Sequence, residues 1–136
     1  ITGSITASGA ISASTTIQAL TGSFNQLEST NFLGSRPINT KTANGTLAIT
    51  DAGTYIRCGS HKLIIPLNSN VAFAIGTEIE FIQTSSIGHL MVTASAGEAV
   101  TLNSRFSLFS ASGQFSAISC KKVGTDEWDI IGDLTR

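Results

Sequence analysis

Residues 113–134 read GQFSAISCKKVGTDEWDIIGDL, and this stretch decides the fold class. Apolar and polar residues alternate through FSAISCKK, which places Ile118 and Cys120 on one face, and again through WDII, where Trp128 alternates with Ile130. Alternation with a period of two is typical of a half-buried β-strand. The GTDE turn between the two halves predicts a β-hairpin, and we expect Trp128 to pack in the core.

Similar segments recur upstream, separated by turns rich in Gly and Asn. The predicted strands are TLAIT, TYIRC, KLIIP, VAFAI, TEIEFIQT, HLMVT, EAVTL and RFSLF. In TEIEFIQT, Ile79 and Phe81 share one face with Gln83, and the two glutamates with Ile82 share the other. No part of this region keeps a 3.6-residue period. Many short strands of this kind predict an all-β fold, an antiparallel β-sandwich or jelly roll.

The first 24 residues carry a second pattern. Ile5, Ile11 and Ile17 recur every six residues, each with an Ala two places later, in a stretch of Ser, Thr and Gly. One such strand cannot bury its own apolar edge. Several copies wrapped around a shared axis could bury it, with Leu20 at the end of that core. The alternative is a flexible Ser/Thr-rich linker, which the composition also fits.

The pattern breaks over residues 25–40, where we expect a turn or a single helical turn leading into a globular head. We therefore divide the chain into a β-structured shaft and neck over residues 1–35 and a β-sandwich head over residues 36–136. The chain begins at Ile1 with no charged region before an apolar core, so the sequence predicts no signal peptide and suggests a piece of a longer protein.

Composition limits the partners of the chain. Of its 136 residues only 12% are charged, against about 25% in typical globular domains. Either Ser, Thr and Asn solvate the surface, or other chains bury much of it. The net charge of −1 indicates no nucleic-acid partner. No apolar run approaches the roughly 18 residues of a membrane span, so we expect no membrane insertion.

Three motifs in the head resemble a module found at the C-terminal end of many bacteriophage fibre and tail proteins. They are a T-D-A-G turn, a V-x-F-x-x-G-T turn and a closing K-x-G-T-x-x-W-x-x-x-G-D-L hairpin. The matching residues are Thr50, Asp51, Ala52 and Gly53; Val71, Phe73, Gly76 and Thr77; and Lys122, Gly124, Thr125, Trp128, Gly132, Asp133 and Leu134. The similarity covers about residues 45–135, and residues 1–24 are similar in composition to fibre shafts.

The resemblance implies a parallel homotrimer, located in the virion and extracellular after release. It implies a structural virion protein whose head contacts a glycan or protein on the host surface during adsorption, joined to other virion proteins through an upstream region. The alternative is a purely architectural fibre or head-decoration module that trimerises without recognising a receptor. In either case we expect the trimer core to contain Ile5, Ile11, Ile17 and Leu20.

Polar loops and an isolated aromatic residue are the candidate binding positions, because loops on a rigid scaffold commonly carry binding residues. These candidates are Tyr55, Asn68, Asn70, Ser86, His89 and Ser112. We find no catalytic arrangement, no metal-ligand spacing and no cofactor motif, so we expect no enzyme. Glu78 and Glu80 could be paired carboxylates, but two residues apart on a strand they fit a solvated face better.

Two further features have plain structural interpretations. The acidic residues around Trp128 fit a charged hairpin end that protects a sheet edge. Cys58 and Cys120 are far apart in the sequence, and buried free thiols are the simplest interpretation of them. A disulfide between these two cysteines remains open.

Overall fold

The computed structural model describes residues 35–97 and 99–136. Within them the chain forms β-strands, short turns and loops. The strands in chain order are β1 (Ile38–Lys41), β2 (Gly45–Thr46), β3 (Tyr55–Cys58), β4 (Lys62–Ile65), β5 (Glu78–Gln83), β6 (Met91–Ala94), β7 (Thr101–Ser104), β8 (Ser110–Ala111), β9 (Ala117–Gly124), β10 (Glu127–Gly132) and β11 (Leu134–Thr135). The predicted shaft, with Ile5, Ile11, Ile17 and Leu20, lies outside the described residues.

The strands form two sheets, which confirms the all-β class. One sheet has six strands in the order β1-β3-β5-β9-β10-β7, and the other has five in the order β11-β8-β6-β4-β2. The prediction of an antiparallel arrangement was wrong, because both sheets are mixed. Five strand pairs run parallel, among them β1 with β3, β3 with β5 and β4 with β6.

The parallel pairing follows from how the chain winds. From β1 to β8 every strand lies in the opposite sheet from the one before it. Each of the first turns, such as GSH at residues 59–61, therefore carries the chain across to the other sheet instead of closing a hairpin. Strands two places apart in the sequence then run in the same direction and pair in parallel. Alternation within a strand does not distinguish these two connections, so the sequence did not predict the winding.

The hairpin predicted from residues 113–134 is present. Strands β9 and β10 pair antiparallel, with Trp128 opposite Lys122 and Ile130 opposite Cys120. Strand β9 also pairs antiparallel with β5 on its other side, so the hairpin lies inside the six-stranded sheet. The faces of β5 are as predicted: Ile79, Phe81 and Gln83 point inward.

One buried cluster contains side chains from both sheets. Its members are Leu47, Ile56, Cys58, Leu63, Ile65, Phe73, Ile79, Phe81, Leu90, Val92, Ala111, Ile118, Cys120, Trp128 and Ile130. Trp128 is the largest side chain in this cluster. Its ring packs against Phe73 edge to face, with 5.5 Å between the ring centroids. Each large apolar side chain buried in this way stabilises the fold by about 1.5–3 kcal/mol. The core position predicted for Trp128 is therefore confirmed.

Three predicted strands were wrong. TLAIT contains a 3₁₀ turn over Ile49–Asp51, because the Asp51 carboxylate accepts a hydrogen bond from the backbone of Ala48 at 2.9 Å. VAFAI buries only Phe73, whose carbonyl accepts a bond from Lys122 Nζ at 2.7 Å instead of pairing with a strand. RFSLF begins with a turn over Arg105–Ser107. A fourth prediction, EAVTL, was right only in part, because the strand begins at Thr101.

Cys58 and Cys120 are both buried and free, so the disulfide left open by the sequence is not formed. Burial raises the pKa of each thiol, which favours the protonated form. In the described part of the chain no helix is long or apolar enough to cross a membrane.

Candidate functional site

The six predicted binding residues do not form one site. Strands β3 and β5 are parallel and β9 opposes them, so loops 59–61, 84–89 and 112–116 meet at one end of the six-stranded sheet, here called the 84–89 end. Ser86, His89 and Ser112 lie there. Asn68 and Asn70 lie at the opposite end, called the hairpin end because it carries the Thr125–Asp126 turn. Tyr55 begins β3 on the outer face of the sheet.

Buried polar side chains shape the loops at the 84–89 end. Gln83 is fully buried. Its Nε2 donates hydrogen bonds to the carbonyls of Ser85 and Gly88, each at 2.9 Å, and its Oε1 accepts one from the Leu90 N–H at 2.8 Å. Its side-chain hydrogen bonds are thus satisfied within the loop that carries Ser86. Gln83 therefore fixes the shape of this loop, although Ser86 itself is exposed.

A chain of hydroxyl groups fixes the neighbouring loop. Ser112 Oγ lies 2.8 Å from Ser116 Oγ, which in turn donates to Asp133 Oδ2 at 2.7 Å. This pair of hydroxyl groups, Ser112 with Ser116, lowers the pKa of the Asp133 carboxyl below its usual value by hydrogen bonding. His89 Nδ1 lies 2.7 Å from the carbonyl of Ala111, so this nitrogen carries the proton and donates. The hydrogen-bond partner of Ser112 is thus the Ser116 hydroxyl, and the His89 imidazole is bonded to the backbone.

At the hairpin end, Asn68 helps to anchor a loop. Lys122 is almost fully buried, and its Nζ donates to Asn68 Oδ1 and to the carbonyl of Phe73. The Asn68 N–H donates to Asp126 Oδ1 at 2.6 Å. The side-chain oxygen of Asn68 thus ties this loop to β9, and its backbone N–H ties the loop to the turn that follows β9. Asn70 is exposed in the same loop.

Carboxylates named in the sequence analysis are paired on the outer face of the six-stranded sheet. Glu78 bonds Lys121 at 2.9 Å and Glu80 bonds Arg36 at 2.7 Å. The hydrogen bond and charge of Lys121 lower the pKa of Glu78. Asp51 is fully buried and pairs with Lys41 at 2.8 Å. Within residues 35–97 and 99–136 no three His, Cys, Asp or Glu side chains are grouped as metal ligands.

The segment Arg105–Phe109, here called the Phe106 corner, has the least favourable backbone of the described residues. Phe106 has φ 60° and Ser107 has φ 54°, and the Leu108 N–H meets the Arg105 carbonyl at 3.4 Å. Two successive residues with positive φ define a left-handed turn that normally takes Asn, Asp or Gly. Each non-glycine residue in this region costs about 1–2 kcal/mol.

The same corner exposes its aromatic ring. The Phe106 side chain is 72% exposed, and the Arg105 guanidinium carbon lies 4.7 Å from the ring centroid. Just before the corner, Ser104 Oγ is buried with no hydrogen-bond partner among the described residues. An unsatisfied buried hydroxyl costs about 1–3 kcal/mol. The corner therefore carries a local cost while leaving a large apolar ring in solvent.

Phe106 lines two surface recesses, as Leu108 does. The larger, of about 470 Å³, is lined by Met91, Val92, Thr93, Phe106, Ser107, Leu108, Phe109, Ser110, Thr135 and Arg136. The smaller, of about 290 Å³, is lined by Arg105, Phe106, Leu108, Gly132, Asp133 and Leu134. Concave surfaces that combine apolar walls with a few polar groups are typical of ligand sites. We therefore take the Phe106 corner and its recesses as the candidate binding site.

A third recess of about 540 Å³ lies at the hairpin end. Small residues such as Ala52 and Gly53 line it together with Arg36 and Glu78. Both of these charged side chains already have partners. This recess therefore offers a ligand neither an aromatic wall nor a free charge.

Sequence reasoning missed the Phe106 corner because RFSLF alternates like a strand. A left-handed turn is predicted from Asn-Gly or a similar pair, and Phe-Ser at those positions gives no such signal. The aromatic residue that the sequence analysis named as a binding candidate was Tyr55, which is half-buried, whereas Trp128 was expected in the core and is buried there. Comparison with known proteins adds no assignment, since no family model, curated protein or solved structure matches the chain.

Proposed function

We propose that the chain is a structural virion protein, a trimeric phage fibre whose head contacts the host cell surface during adsorption. The resemblance of three motifs to those of phage fibre and tail proteins supports the setting. The observation that carries the recognition role is Phe106, an exposed aromatic ring on a costly left-handed turn that lines two recesses. Strained backbone of this kind clusters at functional sites, because the fold itself gains nothing from it.

Adsorption is tested by labelling cells. The fluorescently labelled full chain is incubated with a panel of bacterial strains that differ in surface polysaccharide. We expect selective labelling of some strains and its loss in Phe106→Asn. The matched control is Phe115→Asn, since Phe115 is also exposed (65%) with φ 67° but lines neither recess. Equal labelling by all three proteins would contradict a role for the corner.

A second candidate is the purely architectural fibre module, and one observation favours it. The outer face of the six-stranded sheet carries a row of laterally paired residues, Ile38, Tyr55, Glu80, Ser119 and Ile131. Ile38 and Ile131 are 71% and 66% exposed. Exposed aliphatic residues are typical of contact surfaces between chains, and the charged residue in this row, Glu80, is neutralised by its ion pair with Arg36.

Trimerisation is common to both candidates and is tested by the mass in solution. Light scattering of the full chain should give three times the chain mass of 14.1 kDa. Ile11→Asp should reduce this mass, because a carboxylate would enter the proposed shared core. A parent chain that is monomeric at all concentrations would contradict the trimer. Absence of labelling on every strain, with a trimer present, would favour the architectural candidate.

A further inference from the structure

The charges around the Phe106 corner suggest which class of ligand it binds. Arg105 lines the smaller recess and Arg136 lines the larger one. In the part of the chain that the structure describes, neither guanidinium is paired with a carboxylate. Asp133 is the one acidic side chain lining either recess, and it adds a negative charge to the smaller one without forming an ion pair with Arg105. The larger recess therefore carries a positive side chain and no acidic one, and the smaller recess carries one side chain of each sign, although the chain as a whole has a net charge of −1.

The walls of the recesses match the two kinds of surface that a sugar presents. Phe106 contributes an apolar wall to both recesses. Residues with hydroxyl groups complete the larger recess, namely Thr93, Ser107, Ser110 and Thr135. A pyranose ring has an apolar face that packs on an aromatic ring and an edge of hydroxyls that exchange hydrogen bonds with such groups. A guanidinium binds a carboxylate through two parallel N–H donors.

We infer that the Phe106 corner binds an extended, carboxylate-bearing oligosaccharide, with one sugar unit in each of the two recesses that Phe106 lines. Arg105 and Arg136 bind the carboxylates, and the ring face that Arg105 does not cover packs against a sugar face. This inference rests on the proposed adsorption function and narrows its receptor to an acidic surface polysaccharide. The ring and the charges act together, since the Arg105 guanidinium lies over the Phe106 ring.

The first test separates a glycan receptor from a protein receptor on a strain that the labelled full chain stains. Mild periodate oxidation, which cleaves sugar diols, should abolish labelling, whereas protease treatment of the cells should leave it. The reverse pattern would overturn the oligosaccharide inference and leave the proposed adsorption function standing. A failure of the adsorption function is seen separately, as the absence of labelling on any strain.

The second test addresses the carboxylate. Polysaccharide extracted from the labelled strain is used as a competitor, either native or with its carboxyl groups reduced to alcohols. We expect the reduced form to compete at least about tenfold less well, because a hydrogen bond between charged groups is worth about a factor of ten or more. Equal competition by the two forms would overturn the acidic part of the inference.

Variants locate the effect in the recesses. Arg105→Gln should weaken binding of the native polysaccharide by about tenfold, and it should reduce the difference between the native and carboxyl-reduced forms to the part that Arg136 contributes. Arg57→Gln is the matched control, because Arg57 is exposed on β3 and lines neither recess. Circular dichroism checks that both variants remain folded. If Arg57→Gln weakens binding as much as Arg105→Gln, the binding site is not at the Phe106 corner.

Discussion

The β9–β10 hairpin and the Phe106 corner place aromatic residues in opposite circumstances. In the hairpin, Trp128 is 1% exposed, packs against Phe73 and lies on regular strands. In the corner, Phe106 is 72% exposed on a turn whose backbone favours glycine or asparagine. The hairpin gains stability from its aromatic residue, and the corner loses some. We propose that this difference reflects two roles, with the hairpin serving the fold and the corner serving contact with another molecule.

The largest effect should come from removing the hairpin tryptophan. Trp128→Ala leaves a cavity in the core and should lower the free energy of unfolding by about 3–5 kcal/mol. Urea denaturation followed by circular dichroism measures this, because the variant lacks the sole tryptophan. A loss below about 1 kcal/mol would mean that the hairpin is not the main support of the core.

The end of the hairpin should be nearly as sensitive. A Cβ on Gly132 would lie 2.2 Å from the carbonyl oxygen of Ala117, and Gly132 has φ 149°. Gly132→Ala should therefore cost more than about 2 kcal/mol. The control is Gly113→Ala, since a Cβ there meets no atom within 4 Å. Equal unfolding midpoints for the two variants would show that the close approach at Gly132 is not required.

In the Phe106 corner, by contrast, a substitution should stabilise the fold. Ser107→Gly keeps the Phe106 ring and relieves one positive φ, so it should raise the free energy of unfolding by about 0.5–1 kcal/mol. Denaturant midpoints followed by Trp128 fluorescence measure the change. A destabilised variant would mean that the left-handed turn is not under strain.

The smallest effect should be the pH dependence of stability that comes from Asp133, which follows the hairpin and lines the smaller recess. The lowered pKa of Asp133 means that its carboxylate stabilises the fold above the usual carboxyl pKa, and that this contribution is lost as the pH falls through the lowered value. The difference in melting temperature between the parent and Asp133→Asn should be constant from pH 7 to about pH 5 and shrink below about pH 4. A difference that grows on acidification would contradict the assigned hydrogen bonds.

Sequence patterns predicted the hairpin region and failed at the corner for identifiable reasons. Alternation in residues 117–132 reports burial on one face, so it located β9, β10 and the core position of Trp128. Alternation says nothing about which sheet the chain enters next, so the parallel winding of β1 to β6 was missed. Phe106 and Ser107 adopt a conformation that their residue types disfavour. A site that departs from local preference in this way cannot be found from that preference.

Stability and recognition are separated most directly by equilibrium unfolding of Phe106→Asn beside the parent chain. Asn is favoured at this position of a left-handed turn, and the lost ring is mostly in solvent. The predicted result is an unfolding free energy equal to that of the parent or higher by up to about 1 kcal/mol. A decrease of about 2 kcal/mol or more, the size of a core deletion, would contradict the account, because Phe106 would then serve the fold.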